Sequence, residues 1–244
     1  MKSFKIESSA ITHIGAVREH NEDNYYINGK YRQDSNLGTE GYSDNKARDA
    51  YLYAVCDGMG GESFGELASL IAVSVLTKFQ NADIRKSMSD YIRVTNRLIC
   101  DEIKKYKGRS GGTTLALLSI QGNKAVTCNL GDSRVYFCRN EDLYLLSEDH
   151  VETIDNKNKL TQYLGIFHEK KVIRPYISKD LKIKKNDVFL LCSDGLTDVV
   201  NVDDIADILS MENESTSNMV RLLANASQNN SGKDNVTIIV IKII

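Results

Sequence analysis

The chain has 244 residues, 41% of them hydrophobic and 26% charged, with a formal net charge of -2. That length can bury one large core or two small ones, and the balance is that of an ordinary globular protein. It lacks the long Lys/Arg block of a nucleic-acid binder, the short run Lys182 to Lys185 reads as a solvated face, and no apolar stretch approaches the ~20 residues that span a bilayer.

The N-terminal MKSFKIESSAITHIG carries Lys2 but no continuous apolar run, so no secretory signal is expected. Cys56, Cys100, Cys128, Cys138 and Cys192 lie in apolar runs without a CxxC pair and read as reduced core residues. Both features suggest a cytoplasmic protein.

Phe4 to Ile14 alternates patchily, as an edge strand does. From Ala16 to Ile27 a polar knot, Arg18-Glu19-His20-Asn21-Glu22-Asp23-Asn24, sits between apolar segments. Residues 28–50 are polar and read as one long loop, either mobile or functional. Tyr51 to Cys56 is an apolar strand that breaks at Asp57-Gly58 into a glycine-rich turn. Ser63 and Glu66 form a capping box for a helix. A second helix is predicted from the three-and-four spacing of Ile84, Met88, Tyr91, Ile92, Thr95, Ile99 and Ile103, through about Tyr106. Both stripes read as core-facing surfaces.

From Thr113 the pattern turns to short strands in a meander, TTLALLSI, AVTCNLG, DSRVYFCR and LYLLS. Residues 148–175 lose that regularity. Lys184-Lys185-Asn186-Asp187 reads as a hairpin turn before VFLLCSDGL, Asn201 or Asp203 should cap a helix, Thr216 to Gln228 is amphipathic, and VTIIVIKII closes the chain as a buried strand. Segregated helices and antiparallel strands imply an α+β fold. One domain over residues 1–244 is expected.

Four acids recur at strand ends: Asp57, Asp132, Asp194 and Asp234. Each alone could be an ordinary turn residue; together they suggest one acidic cluster. Oxygen-only ligands select Mg2+ or Mn2+, and His13, His20, His150 and His168 all lie away from these positions. Carboxylates around paired cations can activate a water against phosphorus. Arg18, close to Glu22 and Asp23, is the candidate for gripping a phosphate.

RxxxED (Arg18, Glu22, Asp23), VCDGMGG (Val55 to Gly61), GGTT (Gly111 to Thr114), GDSR (Gly131 to Arg134), SDGLTD (Ser193 to Asp198) and KDN (Lys233 to Asn235) together resemble the bacterial metal-dependent protein phosphatases of type 2C. The resemblance implies a four-layer α-β-β-α sandwich with two antiparallel sheets face to face. It also implies hydrolysis of phosphoserine or phosphothreonine by a water or hydroxide bridging two Mn2+ or Mg2+ ions. By position, Asp57 would bridge the metals and Gly58 offer its carbonyl. Asp194 and Asp234 would hold the other ion, and Glu22 and Asp23 would act on the first. Asp132, Asp194 and Asp198 would form a weaker third site, and Arg18 would bind the phosphate. Phosphoproteins, a serine/threonine kinase among them, are the implied partners, and a monomer is the default.

Two departures stand out. Met59 replaces the histidine that animal members use to protonate the leaving alkoxide. Residues 148–175 form a shortened flap, for which the 28–50 loop could compensate by covering the same rim. Two other readings stay open: a silent phosphoprotein-binding scaffold, which would be expected to have lost Asp57, Asp194 or Asp234, and a hydrolase of small phosphate esters.

Overall fold

A computed structural model describes residues 4–33, 39–60, 64–105, 111–154, 157–167, 171–230 and 232–244. In chain order the first half contains β1 (Ile6–His13), β2 (Asn24–Ile27), β3 (Lys30–Tyr31), β4 (Thr39–Asp44), β5 (Ala50–Cys56), β6 (Gly58–Met59), α1 (Phe64–Leu76) and α2 (Ile84–Lys105). Then come β7 (Gly112–Thr113), β8 (Leu115–Gln121), β9 (Lys124–Leu130), β10 (Arg134–Arg139), β11 (Asp142–Leu145), β12 (Val151–Ile154) and β13 (Lys157–Leu160). The last part holds β14 (Tyr176–Ile177), β15 (Leu181–Lys182), β16 (Val188–Cys192), α3 (Asp194–Thr197), α4 (Val202–Leu209), α5 (Thr216–Asn229) and β17 (Val236–Ile243). Ser63, Tyr106 and His168, named above, lie outside the described residues.

Two antiparallel sheets dominate. One runs β11-β10-β16-β17-β1-β4; the other runs β14-β9-β8-β5-β2-β3, with β15 also on β9. Side-chain alternation builds three apolar layers from them. Tyr51, Tyr53 and Val55 of β5 meet Val135, Phe137, Phe189 and Ile239 between the sheets. Leu52, Ala54 and Cys56 point the other way, onto α1 and α2. Leu190, Cys192, Ile238 and Val240 pack against α4 and α5. Strands covered on both faces read as unbroken apolar runs because neither side meets water.

The helix readings survive with small changes. Every residue of the predicted α2 stripe is buried. Asn201 caps α4, its side chain accepting from the Asp204 N–H, and Ser215 caps α5. A short helix at Asp194, α3, was not anticipated. All five cysteines are buried and lie outside any disulfide.

Five expectations need correction. The Phe4 to Ile14 segment is not an edge strand: β1 pairs along its length with β17 and on its other side with β4. The partner strand comes from residues 28–50, which are not one long loop but supply β3 and β4. Their polarity reflects an edge position, with β4 residues mostly exposed or half-buried. The meander is two hairpins in different sheets, since β9 pairs β8 whereas β10 pairs β11 and β16. Lys184 to Asp187 likewise crosses from β15 in one sheet to β16 in the other. Residues 148–175 are not irregular throughout: β12 and β13 form a small hairpin of their own.

Candidate active site

The sheet crossings deliver the acids to one edge of the sandwich. Asp57 follows β5, Asp132 lies in the turn that leaves β9, Asp194 follows β16 and Asp234 precedes β17. A cavity of about 260 Å3 is lined by Arg18, Glu22, Asp57, Gly58, Met59, Gly60, Thr114, Asp132, Leu160, Asp194, Asp234 and Asn235. Seven of the nine residues singled out above therefore share one cavity. Asp23 and Asp198 do not line it.

The backbone of Asp57 is held at both its N–H and its carbonyl by Thr113 and Thr114. Its N–H donates to Thr114 Oγ1 (2.9 Å), and its carbonyl accepts from the Thr114 N–H and from Thr113 Oγ1, both at 2.9 Å. Helix α1 lies so close that a Cβ on Gly58 would sit 2.2 Å from the Gly65 carbonyl oxygen, and one on Gly65 would sit 2.8 Å from Glu22 Cδ. Only glycine at both positions permits this approach. The crossing turn before Asp132 is equally tight, with Gly131 at φ +94° and its hypothetical Cβ 2.7 Å from Thr114 Cγ2.

Asp23 is buried directly behind the wall. Its Oδ2 accepts from Ser193 Oγ (2.7 Å), which in turn accepts from the Thr237 N–H (2.9 Å). Its Oδ1 has no protein partner. Asn235 joins the chain ends: its Oδ1 accepts from the Glu22 N–H (2.8 Å), and its amide donates to the carbonyls of Ile14 and His20. Asp198 continues the Asp194 turn, its N–H bonded to the Asp194 carbonyl at 2.8 Å.

Arg18 Nη2 lies 2.7 Å from Asp234 Oδ2, in a pair that is about half exposed. That bond raises the Arg18 pKa further. Deeper in, burial pushes Asp194 up to about 7, with Asp132 and Asp23 adding to it. Burial and then the neighbouring Asp23, Asp194 and Asp132 hold Asp57 well above the usual carboxylate range. Asp23 is raised to about 6, again chiefly by burial, with the Ser193 bond opposing. Glu22 and Asp132 are raised too, burial first in each.

Among the described residues the only base lining this cavity is Arg18, so several carboxyls share one low-dielectric space without enough positive charge among them. Among the described residues no three His, Cys, Asp or Glu side chains already form a metal-ligating cluster. What the structure presents is a ring of oxygen donors around a cavity, with no His or Cys among the described residues of its lining. Hard divalent cations fit that donor set and that charge imbalance; zinc does not.

Sequence reasoning missed two supports. Arg32, 2% exposed, donates from Nη2 to the carbonyls of Asn21 and Asp23, both at 2.5 Å, and so braces the Glu22-Asp23 knot from below. It sits in the stretch read as a loop, and no described residue of 28–50 lines the cavity. Asn235 belongs to the KDN motif, which by itself assigns it no role. Its pairing with Glu22 across the sequence carries no local signal.

The family model of protein phosphatase 2C matches residues 24–234. The chain belongs to the protein phosphatase 2C family. This family member is 28% identical to the protein phosphatase PhpP of Streptococcus pneumoniae, with 98% of each chain covered. Among solved structures it is similar to PppA of Pseudomonas aeruginosa, at a TM-score of 0.81 and 26% identity over 99% of both chains. The fold also matches the catalytic domain of the serine/threonine phosphatase PstP, solved in complex with 2 manganese ions, at a TM-score of 0.76 and 23% identity over 99% of this chain and 100% of that one. No helix among the described residues of this phosphatase 2C chain is long and apolar enough to cross a membrane.

Proposed function

We infer that the protein hydrolyses phosphoserine and phosphothreonine in phosphoproteins, with Mn2+ or Mg2+ held in the acidic cavity. The observation that carries this reading is the ring of Glu22, Asp57, Asp132, Asp194 and Asp234 around one cavity, with Arg18 beside Asp234 at its side. Asp57 and the Gly58 carbonyl, with Glu22 beside them, would hold one cation. Asp194 and Asp234 would hold a second, and Asp132, Asp194 and Asp198 a weaker third. Bound there, the cations supply positive charge for the phosphoryl oxygens and lower the pKa of water.

The chain's own groups do the rest. The Arg18 guanidinium can leave an exposed ion pair at little cost and present two parallel donors to a phosphate. Asp23 acts from behind the wall, with one carboxylate oxygen fixed by the Ser193 hydroxyl. Met59 offers no proton and none of the described histidines lines the cavity, so the leaving oxygen draws its proton from water. The partners are phosphoproteins, a serine/threonine kinase among them, and the enzyme works as a cytoplasmic monomer.

Phosphate release from a phosphothreonine peptide, measured with Mn2+, with Mg2+ and with EDTA, tests the reading. Wild-type activity should require the metal and fall by at least about 100-fold in Asp194→Ala, the scale lost when charge stabilisation is removed. A peptide that is never hydrolysed, beside small phosphate esters that are, would reassign the substrate.

A further inference from the structure

Helix α2 carries a second cavity on the flank of its buried stripe. It measures about 590 Å3, more than twice the acidic one, and lies between α2 and residues 166–167 and 171–177. Met88 and Ile92 of α2, with Ile166, Ile173 and Ile177, supply apolar lining. Among the described residues the charged lining is Arg85, Arg93, Arg97, Lys104 and Lys171, with Asp101 as the one acid.

Ion pairs around the rim do not cancel this charge. Arg93 pairs with Asp90, Arg97 and Lys104 share Asp101, and Arg85 shares Asp180 with Lys124. Among the described residues of the lining and its ion-pair partners, Lys171 included, six bases stand against three acids. The α2 pairs are solvent-exposed, Arg97 by 80% of its side chain, and exposed pairs of this kind yield readily to a better anion. Apolar lining, a few charged groups and a volume of this order define a small-molecule site. The surplus charge selects an anion, and the apolar lining selects one with a hydrocarbon body.

The same cavity touches the catalytic turn through hydrogen bonds. Asn96 and Cys100 line it. Asn96 Oδ1 accepts from the Gly165 N–H (2.7 Å), and its amide donates to the Ile166 carbonyl (2.9 Å). Leu164 exchanges two backbone bonds with Thr113, each 2.9 Å, and Thr113 Oγ1 donates to the Asp57 carbonyl. A body wedged between α2 and residue 166 therefore bears on Asp57.

We propose that this cavity binds a small amphiphilic anion, a medium-chain carboxylate of about ten carbons, and that its occupancy alters turnover at the acidic site. The chain lies against Met88, Ile92 and Ile173, and the carboxylate is held by Arg97 and Lys171. An effect on turnover requires that the ligand favour one placement of α2 against Gly165 and Ile166 over another.

Calorimetry with decanoate, with decyltrimethylammonium and with acetate tests the binding without reference to phosphatase activity. Decanoate should saturate one site, and the other two should not bind. The double variant Arg97→Glu/Lys171→Glu, at the exposed rim where folding is not at stake, should weaken decanoate by at least about tenfold. Ile92→Trp, which fills the cavity, should abolish binding. At saturating decanoate, turnover of a phosphothreonine peptide should change by at least about fivefold, and Asn96→Ala should bind decanoate but lose that response. Absence of saturable binding, equal binding of the cation, or wild-type affinity in the double variant overturns the site. Binding that leaves turnover unchanged overturns the link to Asp57, which alone rests on the phosphatase reading.

Discussion

Asp194 holds its proton more tightly in the folded chain than in the unfolded one, because burial and the neighbouring Asp132 and Asp23 raise its pKa to about 7. The same holds for Asp57 and Asp23. A carboxyl with a raised folded pKa lends stability that is present below the unfolded value and lost as pH climbs through the folded one. In EDTA the thermal midpoint should therefore fall between about pH 4 and about pH 7 from these groups, and excess Mn2+ should flatten the fall. Asp194→Asn removes one of the repelling charges. At about pH 8 in EDTA its midpoint should rise by about 2–4 °C while turnover is lost. Thermal melts of both proteins check this, and an equal or lower midpoint in the variant would show that the carboxylates do not strain the fold.

At the scale of elements, α1 presses its first turn onto the catalytic loop. Gly65 and Gly58 meet without side chains between them; burial raises the pKa of the Glu22 carboxyl beside Gly65, and the Gly65 backbone opposes that rise. The helix N-terminus thus favours the ionised Glu22 that a cation needs. Gly65→Ala has to push α1 away from Gly58 and Glu22 together. It should cost about 1–3 kcal/mol of stability and raise the Mn2+ concentration for half-maximal activity by about tenfold or more. A metal titration of activity reads this directly; an unshifted curve would separate α1 from the site. The short β12–β13 hairpin contributes Leu160 to the cavity lining, a place that no described residue of 28–50 reaches.

Across the whole molecule, the acidic cavity draws on both sheets: Asp57 and Thr114 from one, Asp194 and Asp234 from the other. The inter-sheet core therefore sets the distance between the two halves of the site. Phe189, fully buried there and 5.0 Å from Phe137 between ring centroids, fills that layer without lining the cavity. Phe189→Ala should destabilise the protein by about 3–5 kcal/mol in denaturant unfolding. Turnover of the folded fraction should stay near wild type, whereas loss of activity before any unfolding would mean that the sheets shift when the layer is emptied.

The sequence by itself determined the elements whose local chemistry is self-sufficient. Asn201 caps α4 with its own side chain, the α2 stripe needs only helical spacing, and Asp57-Gly58 ends an apolar run wherever that run packs. These features also located the acids at strand ends. Tertiary structure decided which strands are neighbours. Residues 39–44 look like loop because an edge strand half-open to water needs little apolar surface. Consecutive β9 and β10 look like a meander because a turn between sheets and a turn within one share the same glycine and polar residues. Arg32 and Asn235 owe their roles to partners far along the chain or concealed within a polar stretch, so only packing reveals that they brace Glu22 and Asp23.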